Sequence, residues 1–76
     1  MKIVSSNDLA QLMLRVEDDI KKFRESGESD YWFTWQGEND YDINIWIYNN
    51  DLRVVAHLAN SRELQVLHIE PYYIDA

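Results

Sequence analysis

This sequence contains no cysteine, so neither a disulfide staple nor a thiolate metal site can hold it together. It also lacks any long apolar run. The opening Met1-Lys2-Ile3-Val4-Ser5 is too short for the hydrophobic region of a signal peptide, and no segment approaches membrane-spanning length. A cytoplasmic protein is expected. Repeats, linkers and low-complexity segments are missing too, and 76 residues leave room for a single domain, 1–76. A chain of this size buries only about 60 to 65% of its unfolded surface, so its core is modest.

Positive charge is scarce. Seven Lys and Arg stand against 14 Asp and Glu, a net charge of −7. That balance opposes binding to nucleic acid or to anionic membranes, since both rest on cations neutralising phosphates. The deficit is concentrated between Glu25 and Leu52, where Glu25, Glu28, Asp30, Glu38, Asp40, Asp42 and Asp51 meet no Lys or Arg. Acids alone keep a small protein soluble. Ordinary soluble surfaces, however, interleave both signs. The same stretch holds all three tryptophans (Trp32, Trp35 and Trp46) and Tyr31, Tyr41 and Tyr48. With 46% apolar residues overall, the chain is a folded domain and not a disordered acidic tail.

What is present has clear periodicity. In "SSNDLAQLMLRVEDDIKKFRESG", Leu9, Leu12, Met13, Val16, Ile20 and Phe23 recur every three or four residues, predicting a helix over 6–26. Ser5 and Asp8 have capping-box spacing, and Gly27 suits a left-handed stop. Glu17–Lys21 and Asp18–Lys22 are acid-before-base pairs at i,i+4. Lys21, Lys22 and Arg24 complement the dipole in the last turn. The mixed signs of the polar face argue against a membrane-surface helix.

After Gly27 the period becomes two. "DYWFTWQ" (30–36), "YDINIWIYN" (41–49) and "LRVVAHL" (52–58) read as strands separated by "GEND" and "NND". The second separator suits a tight turn, because Asn and Asp tolerate positive φ. "LQVLHIE" (64–70) reads as a fourth strand, although a short helix from Ser61 fits its periodicity equally. The expected fold is α+β, one N-terminal helix packed on an antiparallel sheet of three to four strands.

Parity divides the strands into two faces. Tyr31, Phe33 and Trp35 share a side with Tyr41, Ile43, Ile45 and Ile47, and with Leu52, Val54, Ala56 and Leu58. This set should lie under the helix. The other side reads Asp30, Trp32, Thr34, Gln36, then Asp42, Asn44, Trp46, Tyr48, then Arg53, Val55, His57. A sheet of four strands is about 20 Å wide and a helix about 10 Å across, so the helix covers one face at most.

Catalysis has little support in the residues. His57 and His68 lie in candidate strands with no Ser or carboxylate motif around them. Glu38, Asp40 and Asp42 alternate like the start of a calcium loop. Ile43 stands where that loop needs Gly, and Asn49 where it needs Glu. No catalytic, metal or cofactor site is expected.

Aromatics among acids do not suit bases on a phosphate backbone, whose stacking platforms sit in basic grooves. They suit a basic protein surface, with Trp and Tyr as anchors and carboxylates receiving Arg. The candidate partner-binding residues are Asp30, Trp32, Glu38, Asp40, Asp42, Trp46, Tyr48 and Asp51. The expected function is that of a non-enzymatic inhibitor bound to a nucleic-acid-handling protein, without contacting nucleic acid or membrane. The alternative is a structural or assembly module whose outer sheet face is a homo-oligomer interface, burying Trp32, Trp46 and Tyr48 in a homodimer.

In size, acidity, absence of cysteine and helix-then-sheet order, the chain resembles small phage-encoded inhibitors of bacterial defence. These include anti-CRISPR proteins that occupy DNA-binding surfaces, and acidic immunity proteins that block nucleases share the same general features. The resemblance spans the whole chain in composition and element order. It implies a DNA-mimicking inhibitor in the host cytoplasm, and with no diagnostic residue string it transfers no functional residue. "EPYYIDA" (70–76) is similar to the adjacent tyrosines of colicin-nuclease immunity proteins, which are all-helical, unlike the fold expected here.

Overall fold

The computed structural model describes residues 2–73; Met1 and the end of the EPYYIDA string, 74–76, lie outside the described residues. Helix α1 spans Ser6–Ser26. Strands β1 (Asp30–Gln36), β2 (Asp40–Tyr48), β3 (Asp51–Leu58) and β4 (Leu64–Pro71) follow it. They form one antiparallel meander in the order β1-β2-β3-β4, so the fold is α+β.

The helix starts at Ser5, whose hydroxyl accepts the Asp8 N–H at 3.2 Å. The reciprocal half of a capping box does not form. Ser5 N–H donates instead to the Tyr41 hydroxyl (3.4 Å), and the Asp8 carboxylate turns to the sheet. It accepts the Glu38 N–H at 2.9 Å and the Tyr41 O–H at 3.1 Å, pinning the first turn of α1 to the β1–β2 turn. Gly27 ends the helix in the left-handed region (φ 73°). Of the two acid-before-base pairs, Asp18–Lys22 closes at 3.1 Å, and Arg15–Asp19, in the reverse order, closes at 3.4 Å. Glu17 instead lines a groove against β4 beside His68 and Glu70.

One face of the sheet carries the core. Leu12, Val16 and Phe23 of α1 pack with Phe33, Tyr41, Ile43, Ile45, Leu52, Val54 and Ala56, all buried. Leu9, Met13, Ile20, Tyr31, Trp35, Ile47 and Leu58 flank them. Asn49 and Asn50, both at positive φ (55° and 65°), form the two-residue β2–β3 turn that the right-handed twist of a hairpin favours.

The fourth run is a strand, and its ambiguous periodicity has a physical cause. A β-bulge sits opposite Val54 and Val55: Val54 pairs with His68 while Val55 pairs with Val66, leaving Leu67 as the extra residue. Leu67 packs against the core. Gln65 pairs with the inward Ala56, whereas Leu64, Val66 and Ile69 pair with the outward His57, Val55 and Arg53. Strict alternation is therefore broken in mid-strand.

Candidate outer-face interface

Among the described residues, no other element covers the side of the sheet away from α1. Its cross-strand rows follow from the register. Asp30, Trp46, Arg53 and Ile69 form one row; Trp32, Asn44, Val55 and Val66 form the next; Thr34, Asp42, His57 and Leu64 form a third. Tyr48 lies opposite Asp51 at one end, and Gln36 opposite Asp40 at the other. Trp32 is 67% exposed and Tyr48 59% exposed, whereas Trp46 is half-buried. Val55, at the centre, is only 4% exposed although no described element covers it, so neighbouring side chains close over it.

Seven of the eight candidate binding residues belong to this face: Asp30, Trp32, Asp40, Asp42, Trp46, Tyr48 and Asp51. Glu38 does not join them. It sits in the β1–β2 turn, and its carboxylate accepts from the Asn7 side chain (2.9 Å) at the start of α1. Three contributors were not in the sequence-derived set: Leu64, Val66 and Ile69 of β4, all more than half exposed. Their spacing of two and then three residues conceals a common face until the bulge is known.

The charges on this face are not all free. Arg53 Nη2 lies 3.6 Å from Asp51 Oδ2, and its guanidinium sits over the Tyr48 ring, 5.0 Å from the centroid. His57 Nδ1 lies 3.9 Å from Asp42 Oδ2, an ion pair only when the imidazole is protonated. Asp30 and Asp40 have no ion-pair partner among the described residues. The face thus has two halves. Strands β1 and β2 bring exposed aromatics and the unpaired acids, while β3 and β4 bring aliphatics around a partly neutralised centre.

A second polar cluster ties α1 to β4. Arg24 bonds to the Glu70 carboxylate, and its guanidinium stacks over Tyr72, 4.7 Å from the ring centroid. His68 Nε2 meets the other Glu70 oxygen at 3.0 Å. Partial burial pushes the Glu70 pKa up, but Arg24 and His68 outweigh it and hold the carboxyl below its ordinary value of 4.5. Among the described residues, no three His, Asp or Glu side chains converge on a metal-sized site. No described helix is long and apolar enough to cross a membrane. No protein family, curated protein or solved structure matches this chain.

Proposed function

We propose that this protein is a non-enzymatic binder that docks on the basic surface of a nucleic-acid-handling protein in the cytoplasm and inhibits it by keeping nucleic acid away. One observation carries the reading: Trp32 and Tyr48 stand exposed on the uncovered sheet face, with Asp30 and Asp40 unpaired at its margin. Aromatic side chains on rigid strands supply anchor area, and rim carboxylates accept Arg and steer encounter. An apolar centre inside a charged rim is the usual anatomy of a protein–protein interface. The resemblance to anti-CRISPR-type inhibitors agrees with this reading at the level of composition and element order.

The test uses a partner captured from a host lysate and then purified. Association should be fast at low salt and slow as the Debye length falls from about 30 Å at 0.01 M to about 8 Å at 0.15 M. Replacing the two unpaired acids together (Asp30→Lys with Asp40→Lys) should cut the association rate at least several-fold and leave the fold intact. Trp32→Ala should mainly raise the dissociation rate. The bound partner should also lose its DNA or RNA in a gel-shift competition. A partner without a basic surface, or unchanged affinity after the double reversal, would sink the acidic-face reading.

Leu64, Val66 and Ile69 favour a second reading, in which this face packs against its own copy as two stacked sheets. In that case the isolated protein is a dimer and Ile69→Asp returns it to a monomer.

A further inference from the structure

The two edges of the sheet differ in how they are protected. Along β4 the bulge at Leu67 breaks the strand and Pro71 ends it. Gln65 Oε1 also accepts the N–H groups of Ile3 (2.8 Å) and Val4 (2.9 Å), which holds the N-terminal segment against that strand. Bulges, prolines and covering segments are the devices by which edges avoid pairing with another chain. Strand β1 has none of them. All seven of its residues, Asp30 to Gln36, pair with β2 in unbroken register. The strand contains no Pro, Lys or Arg, and no described residue outside β2 hydrogen-bonds to its backbone.

The strand is also complementary to itself. Run antiparallel against a second copy about Phe33, it sets Asp30 opposite Gln36, Tyr31 opposite Trp35 and Trp32 opposite Thr34, with Phe33 on the dyad. Its single charge, Asp30, faces a neutral side chain in both halves, so no like charges oppose. The two Tyr31–Trp35 pairs fall on the helix side, the two Trp32–Thr34 pairs on the outer side. Aromatic cross-strand pairs are among those that stabilise sheets.

We propose that β1 is a homodimerisation edge: two copies join through antiparallel β1 strands about Phe33 into one continuous eight-stranded sheet. The contact is isologous, as closed two-fold symmetry requires, and satisfies the backbone groups that an unpaired edge leaves exposed. It is independent of the proposed function, because an edge dimer leaves both outer faces open. It brings the two copies of Trp32 close together across the dyad on the outer side and sets the two copies of Asp30 at opposite ends of the joined strands, about 20 Å apart along them, which makes the assembly bivalent toward a partner with two basic sites. Each copy carries a net charge of −7, and the strand contacts are not ionic. Added salt therefore strengthens this dimer, opposite in sign to its effect on docking to a basic partner.

The wild-type chain has no cysteine, so disulfide trapping reads the register directly. Directly opposed residues in an antiparallel pair have Cα atoms about 4.5 or 5.5 Å apart, both within disulfide reach. Asp30→Cys and Gln36→Cys, both at exposed positions, should cross-link when the two variants are mixed and oxidised. Neither should cross-link alone. Trp32→Cys mixed with Thr34→Cys provides a second pair should either of the first variants fold poorly. Sedimentation of the unmodified protein should show a mass rising toward twice 9.1 kDa with concentration, and more readily at high salt. Thr34→Lys, a charge at the middle of the edge, should restore the monomer while the chain stays folded, with a melting temperature that no longer rises with concentration. A protein that stays at 9.1 kDa into the millimolar range at high salt overturns the proposal. So does a dimer in which neither mixed pair cross-links, since that places the interface elsewhere.

Discussion

At the scale of single residues, Asp8 shows why a side chain's role is not always its local one. Its place three residues after Ser5 suits a capping box, yet its carboxylate is buried against the Glu38 N–H and the Tyr41 hydroxyl. Removing it takes this acceptor from the Glu38 N–H and from the buried Tyr41 hydroxyl, which water cannot readily replace. Asp8→Ala should cost about 1 to 3 kcal/mol, measured by urea unfolding. Gly37 belongs to the same unit. A Cβ there would collide with the Asp8 carboxylate and with the Trp35 ring. Gly37→Ala should therefore destabilise the wild type, and less so in the Asp8→Ala background, because one of the two clashes is then gone. Equal costs in both backgrounds would show that Asp8 is not what the glycine accommodates.

At the scale of elements, α1 is held to β4 by the Arg24–Glu70 contact as well as by the core, with His68 of the same strand on the other Glu70 oxygen. The folded Glu70 carboxyl titrates below its ordinary value of 4.5. A group whose pKa is lowered on folding binds more protons in the unfolded state across the interval between the two values. Its stabilising contribution is thus full above the unfolded pKa and fades as pH falls through the folded one. Glu70→Gln should be less stable than wild type at neutral pH, and the gap should close on acidification below about pH 4.5, followed by urea unfolding at a series of pH values. A gap that stays constant into strong acid would mean that the carboxylate charge contributes nothing. The bulge in β4 acts at this scale too. By placing Leu67 on the core side it sends Ile69 outward, and so assembles the aliphatic half of the outer face.

At the scale of the whole molecule, a single small core serves both layers. Ile45 is fully buried beneath α1 in the second strand of the sheet, and Ile45→Ala should cost about 2 to 5 kcal/mol. Domains have stabilities of only about 5 to 15 kcal/mol, so this loss should lower the melting temperature by many degrees. An unchanged melting temperature would contradict the placement of Ile45 in the core. The negative charge is likewise a property of the whole: it favours encounter with basic partners and opposes self-association at low salt. Titrating salt while following both mass and partner binding separates the two kinds of interface.

The sequence alone determined the helix from Ser6 to Ser26, its Gly27 stop, a tight turn within Asn49-Asn50-Asp51 (of which the structure draws Asp51 into β3) and the division of the first three strands into a core face and an outer face. These depend on local conformational preference and on periods of 3.6 and two, which neighbouring residues carry among themselves. The tertiary structure decided what depends on residues far apart in the chain. Register brought Tyr48 against the Asp51–Arg53 pair of the neighbouring strand, and His57 to Asp42, giving neighbours to acids that look unopposed in a base-free stretch. Packing at the start of α1 drew Glu38 toward Asn7, away from the other candidate residues. The bulge turned Leu64, Val66 and Ile69 onto one face despite their uneven spacing. A side chain's direction follows from its own strand, but its partners follow from which strand lies beside it and in what register, and local periodicity carries no information about that pairing.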